Sequence, residues 1–272
     1  MKVILSRKGF DSKFGGCASP ILPDGTLFSL PIPSKQDRIK FSDISYEGKS
    51  IYEIIKEIHP RSRIKEYWNC HLDPDIRDYG IVEPWSPLFG QADKAQTHLE
   101  NQGIGKGDLF LFFGWFRQTE LVGGTLRFCK NAPDKHILLG YLQIEAAYRT
   151  FDELPPQLSH HPHATLECYA AYKNCIYSAT ERQFLKPAHQ GYGTFKYHPS
   201  LVLTKEGESR SKWLLPDFFK EVEISYHSSN SFKAEGYFDS AKIGQEFVVS
   251  GNGKVTEWVL LKIAIGVSKS FP

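Results

Sequence analysis

The segment that most constrains this chain is Asp108-Leu109-Phe110-Leu111-Phe112-Phe113-Gly114-Trp115-Phe116-Arg117. It is apolar almost without interruption, so a strand built on it has two faces to hide rather than one. Such a strand belongs inside a sheet or in a barrel wall, flanked on both sides. The flanking strands are legible too. Val3-Ile4-Leu5 opens the chain, and Leu126-Arg127-Phe128 follows a Gly123-Gly124 turn. From His136 to Ala147, Tyr141, Gln143 and Glu145 alternate with Leu142, Ile144 and Ala146. Asn174 to Ala179 and Leu201 to Thr204 add short strands.

Helical periodicity is sparse. Ile51, Ile54, Ile55 and Ile58 recur at three- and four-residue spacing within Tyr46 to His59, and Pro60 stops the run. Ala92 to Gln102 gives a second helix, ended by Gly103 and Gly105. The first forty residues are dense in Gly and Pro (Gly15-Gly16, Pro20, Pro23-Asp24-Gly25, Pro31, Pro33), which prevents long helices and predicts short strands joined by tight turns. Trp68 to Asp75 and Pro155 to Pro162 are expected loops, and Ala164 to Ala171 fits either type. The tail from Trp258 to Ile265 is apolar enough to pack on the body. The fold class is therefore α+β and strand-rich, a central barrel or mixed sheet with an N-terminal elaboration. It forms a single domain over residues 1–272, or one with a smaller C-terminal lobe over 221–272.

Composition enters mainly to exclude. Basic and acidic residues nearly cancel (33 against 31), and 41% of residues are hydrophobic, so disorder is not the dominant state. No run approaches the roughly 18 to 20 apolar residues of a membrane helix, so no membrane partner is expected. Met1 to Leu5 leads directly into Ser6-Arg7-Lys8-Gly9 without an apolar signal core, and the expected location is cytoplasmic. Five scattered cysteines without CxxC spacing predict free, mostly buried thiols and exclude a zinc knuckle.

Three clusters carry possible chemistry. Ser6, Arg7, Lys8, Asp11, Ser12 and Gly15-Gly16 form a turn able to cradle an anion, though the turn matches neither the P-loop nor the dinucleotide glycine pattern. In His71-Leu72-Asp73-Pro74-Asp75, alternation places one imidazole and two carboxylates towards one side of an extended segment. Turn capping explains those aspartates equally well, and no second ligand set at fixed spacing accompanies them, so no metal ligand is assigned. His160-His161-Pro162-His163 offers proton shuttles, but adjacent histidines diverge and the HExxH pattern is missing. No GxSxG elbow, kinase set or redox cysteine pair is present. Aromatic residues beside a base, Trp115-Phe116-Arg117, suit base stacking, while a core strand explains them as well.

Several stretches resemble the nucleotide modification associated domain 3 family, whose members are assigned to bacterial and phage systems. They are Leu5 to Ser12 with Gly15-Gly16, Ser19 to Gly25, Ser29 to Pro33, His71 to Asp75, Phe89-Gly90-Gln91, Gly107 to Arg117 and His161-Pro162-His163. Together they span residues 1 to about 220. Gly107 to Phe112 leading to Leu138 to Ile144 is also similar, more weakly, to the paired strands of PUA-like domains of the EVE and ASCH groups. The likeness implies a small barrel holding a base, although the first hundred residues have no counterpart in such a module.

The family likeness implies an enzyme or accessory protein of nucleotide or nucleic-acid base modification, DNA or RNA, holding a nucleobase in an aromatic and basic cleft. The alternative is a PUA-like reader that binds a modified base without changing it. For an enzyme, Asp11, His71, Asp73 and His163 are the expected proton-transfer groups. Trp115, Phe116 and Tyr141 would stack the base, and Arg7, Lys8, Ser12 and Arg117 would hold phosphate. The sequence names no cofactor and no oligomeric state.

Overall fold

The computed structural model describes residues 1–240 and 246–268. The chain opens with β1 (Val3–Arg7), β2 (Ser19–Ile21) and the short strands β3 (Ile32–Pro33), β4 (Ser45–Tyr46) and β5 (Lys49–Ser50), followed by helix α1 (Ile51–Ile58). Next come β6 (Cys70–His71), β7 (Leu88–Ala92), α2 (Asp93–Asn101), β8 (Leu109–Val122), β9 (Thr125–Phe128) and β10 (Lys135–Tyr148). The remainder supplies α3 (Leu166–Ala171), β11 (Asn174–Ala179), β12 (Tyr192–Thr194), β13 (Lys212–Trp213), β14 (Phe232–Lys233), β15 (Tyr237–Asp239), β16 (Glu246–Val249) and α4 (Gly253–Ser268).

The double-sided apolar run becomes β8, the middle of a large mixed sheet ordered β16-β1-β8-β10-β11-β7, with β2 and β9 also on β8 and β12 on β10. β1 and β2 run parallel to β8, whereas β9 and β10 run antiparallel to it. The fold is α+β, and of the two expected forms it is the mixed sheet. Among the described residues no backbone pairing joins β16 to β7, so no barrel closes. The sheet nevertheless curls until its ends meet through side chains. Gln91 Nε2 of β7 donates to Glu246 Oε1 of β16 at 2.6 Å. Inside the curl, the Phe89 ring of β7 packs edge-on against Phe110 and Phe112 of β8, centroids 4.6 and 5.3 Å apart.

A second core sits in the N-terminal hundred residues. Ser50 and Glu53 form a capping box that starts α1, and Ile51, Ile54, Ile55 and Ile58 all bury against Phe10, Phe28, Phe41 and Leu72. Glu57 ties this layer to the β8–β9 hairpin by accepting the Leu126 N–H at 2.7 Å. At the other end, α4 buries Val255, Val259 and Ile263 at four-residue spacing in the same core as β8 and β10.

Some local expectations shift. Tyr46 to Ser50 forms the β4–β5 hairpin rather than the first turn of a helix. Leu201 to Thr204 makes only isolated bridges, because Pro199 starts a single helical turn that ends at Leu201. Cys70-His71, expected in a loop, pairs with Ile32-Pro33. All five cysteines are free. Among the described residues, no helix is long and apolar enough to cross a membrane.

Candidate functional site

The β3–β6 ribbon lies against the curled end of the sheet and delivers His71 and Asp73 to a buried centre. Lys8, just past β1, is anchored by its N–H to the Phe113 carbonyl at 2.8 Å. Its ammonium lies 4.0 Å above the Phe89 ring, 3.3 Å from Glu246 Oε1 and 4.0 Å from Asp73 Oδ2. The Asp73 side chain is 4% exposed. Its Oδ1 accepts the Gly90 N–H at 2.7 Å and lies 3.3 Å from His161 Nε2. His71 Nε2 is 3.9 Å from the other oxygen, Oδ2. His163 completes the group, its ring centroid 5.2 Å from that of His71.

Each imidazole of the pair is oriented from behind. His71 Nδ1 is 2.8 Å from Asp37 Oδ2. His163 Nδ1 is 2.8 Å from Asn174 Oδ1, while Asn174 Nδ2 donates to the His163 carbonyl at 3.0 Å. The second bond fixes the amide's orientation, so His163 Nδ1 is the donor. An ionised Asp37 accepts only, so His71 Nδ1 also carries its proton. In its neutral form each ring therefore offers an Nε2 lone pair. Glycine is required beneath them, because a Cβ on Gly90 would stand 2.3 Å from His163 Cδ2 and 2.8 Å from His161 Cε1.

The electrostatics follow from this packing. Burial alone would push the Asp73 carboxyl up, but His161 and the Lys8 charge outweigh it and hold the group well below the usual carboxylate range. Burial drives His163 down to about 4, only partly opposed by Asp73. For His71 burial also disfavours the charged ring, yet the Asp37 hydrogen bond and the Asp73 and Asp37 charges together raise its pKa. Burial pushes Asp75 up to about 6, even though Trp85 Nε1 donates to it at 2.9 Å. Asp75 contacts Trp85 and His160, while the His161 and Asp73 charges also act on it. An ionised carboxylate, an ammonium and two imidazoles of unlike basicity thus meet in one largely buried place, which suits proton transfer or ligation of a cation. Among the described residues, one donor atom from each of His71, Asp73 and His163 lies within 4.8 Å of the others.

The remaining expected site residues divide. Asp11 closes its own turn, accepting the N–H groups of Lys13 and Phe14 at 2.7 and 2.6 Å. Arg7, Ser12 and Trp115 are grouped by Arg210, which the sequence did not single out. Its guanidinium stacks 4.1 Å over the Trp115 ring and donates to Ser12 Oγ at 2.9 Å, and its charge acts on Arg7. Phe116 and Tyr141 are sealed in the core at 0% and 1% exposure, and the Tyr141 hydroxyl is bound to the Gln190 carbonyl. Neither presents a face to a ligand. Arg117 is paired with Asp134 at 2.7 Å on the hairpin side of β8.

A separate feature is an open cleft of about 1020 Å³ between the Ser12–Gly16 turn and the Arg61–Asn69 loop. Lys13, Lys35, Arg61 and Arg63 line it together with the exposed rings of Phe14, Tyr67 and Trp68, and among the described residues no acidic one does. It meets the buried centre through the ribbon. Pro33 and Asn69 line the cleft, and Asn69 is bonded to the Asp37 carbonyl, whose carboxylate holds His71.

Sequence reasoning named Lys8, His71, Asp73 and His163 but missed Asp37, Gly90, Gln91, His161, Asn174 and Glu246 as parts of the centre. His161, Gly90 and Gln91 stand in stretches singled out for other reasons. Nothing local marks Asp37, Asn174 or Glu246.

No curated protein and no solved structure shows a significant match to this chain. The family model of nucleotide modification associated domain 3 matches residues 2–250, a span that includes β1, the ribbon, β7, the histidine loop and Glu246. The chain belongs to the nucleotide modification associated domain 3 family.

Proposed function

We propose that this protein is an enzyme that modifies a nucleotide or nucleobase, with Lys8, His71, Asp73 and His163 as the reacting centre and the basic cleft as the platform for substrate. The observation that carries the reading is the buried carboxylate, ammonium and imidazole pair. Keeping such groups together out of water is costly, and a protein that only reads a base has no need of them. The cleft supplies what a nucleotide requires, namely cations for phosphate and open aromatic faces for a base. It replaces Trp115, Phe116 and Arg117 in that role, since β8 turns Phe116 inward and engages the other two within the protein.

Membership of a nucleotide-modification family favours the same substrate class. The test is mass spectrometry of nucleosides from DNA, RNA and the free nucleotide pool of cells expressing the wild type or Asp73→Asn. A changed nucleoside present only with the wild type is expected. Identical nucleosides in both, with tight nucleic-acid binding by both proteins, would establish a reader instead.

A further inference from the structure

The geometry points to a metal site: His71 Nε2, His163 Nε2 and Asp73 Oδ2 bind one divalent first-row transition-metal ion and leave its other coordination positions open to water or substrate. The inference rests on the same buried centre as the nucleotide-modification reading, but its test needs no nucleotide.

Convergence is the first support. One donor atom from each of the three residues lies within 4.8 Å of the others, His71 Nε2 standing 3.9 Å from Asp73 Oδ2, and bonds of about 2.0–2.2 Å to a shared ion bring ligands to roughly 3–4 Å apart, so small side-chain shifts suffice. The second support is that both rings are held with the right nitrogen free. Asp37 and Asn174 each take an Nδ1 proton at 2.8 Å, an outer hydrogen bond that metal-binding histidines almost always make.

The third support is the carboxylate itself. Gly90 N–H occupies Oδ1 at 2.7 Å. On the same side His161 Nε2, wholly buried, lies 3.3 Å from Oδ1 without a well-aligned hydrogen bond. Oδ2 is left for the ion. The Lys8 ammonium is the cation already near Oδ2, at 4.0 Å. Glu246 provides it with another place, with Oε1 at 3.3 Å and Oε2 buried without a partner.

Two nitrogens and one oxygen suit zinc, iron(II), manganese or cobalt(II) rather than magnesium or calcium, which demand oxygen. An ion so held, with open positions, can polarise a substrate oxygen or acidify a bound water.

The experiment is titration of untagged, chelator-stripped full-length protein with Co²⁺, followed by its visible absorption. Parallel titrations use Zn²⁺ and Mn²⁺, with metal content measured after gel filtration. One equivalent is expected to bind and to raise the melting temperature. Asp37→Asn and Asn174→Leu, which leave all three ligands in place, should weaken binding about 10- to 100-fold. His189→Gln, in a loop whose backbone bonds to Lys186 and Gln183, should leave it unchanged. The inference is overturned if the wild type takes up no stoichiometric metal, or if the ion is held equally by the combined variant His71→Gln/Asp73→Asn/His163→Gln. The wild-type titration decides even if that variant does not fold. Protein that takes up no metal yet still changes a nucleoside would sink the metal site and spare the enzyme; stoichiometric metal with no changed nucleoside would do the reverse.

Discussion

The buried centre and the basic cleft contrast in almost every physical respect although one short ribbon connects them. In the centre, charges are few, paired and fixed by hydrogen bonds to Gly90, Asp37 and Asn174. In the cleft, Lys13, Lys35, Arg61 and Arg63 stand beside exposed rings, with no acidic residue among the described residues that line it. Fixed, desolvated groups of tuned basicity serve chemistry, whereas open cations and flat faces serve the capture of a polyanion. Losses at the two places should therefore separate into turnover and affinity.

The largest expected effect lies in the centre. Asp73→Asn removes the charge around which the imidazoles are arranged and should cut product formation about 10²- to 10⁴-fold, the usual worth of a positioned acid or base. Gly90→Ala comes next. Its methyl collides with the His163 ring, so the centre must spread, with a stability cost of about 1–3 kcal/mol visible in thermal melts. If Gly90→Ala leaves both melting and product formation intact, the centre is not as closely packed as described.

In the cleft the effect is smaller and of another kind. Removing two cations by Arg61→Ala/Arg63→Ala should weaken single-stranded oligonucleotide binding. The slope of log affinity against log salt should become shallower by about 1.4, because two phosphates keep their counterions when the variant binds. An unchanged slope would mean that these arginines do not meet phosphate.

The smallest effect distinguishes the core from both regions. His136 is buried against Trp213, whose Nε1–H it accepts at 3.0 Å. Burial, with the Arg210 and Arg7 charges, pushes its pKa down to about 3. Above the ordinary value of about 6.5 the ring is neutral whether the chain is folded or not. As pH falls from there towards 3, the unfolded chain takes up a proton that the folded one refuses, and stability is lost. His136→Gln should flatten the fall in melting temperature between pH 6.5 and 4 by a few degrees. An identical fall in the variant would assign acid sensitivity to other groups.

Much of the framework was legible because it is written in local periodicity. The apolar run gives β8 and the isoleucine spacing gives α1. The same run could not say which face carries function. Phe116 turns inward because β2 pairs alongside it, and that pairing is a tertiary event. The site was half legible. His71, Asp73 and His163 stand in unusual clusters, but their partners lie far along the chain. Asp37 is 34 residues from His71, and Glu246 is 238 from Lys8. Only the curl of the sheet, which carries Gln91 of β7 to Glu246 of β16, brings such residues together.

The division of labour between centre and cleft is tested most directly by equilibrium binding of one fluorescent single-stranded oligonucleotide to three proteins. Wild type and Asp73→Asn should bind with affinities within about threefold, because the aspartate lies outside the cleft, while Arg61→Ala/Arg63→Ala should bind clearly more weakly. A variant of Asp73 that loses binding, beside an arginine double variant that keeps it, would contradict the account.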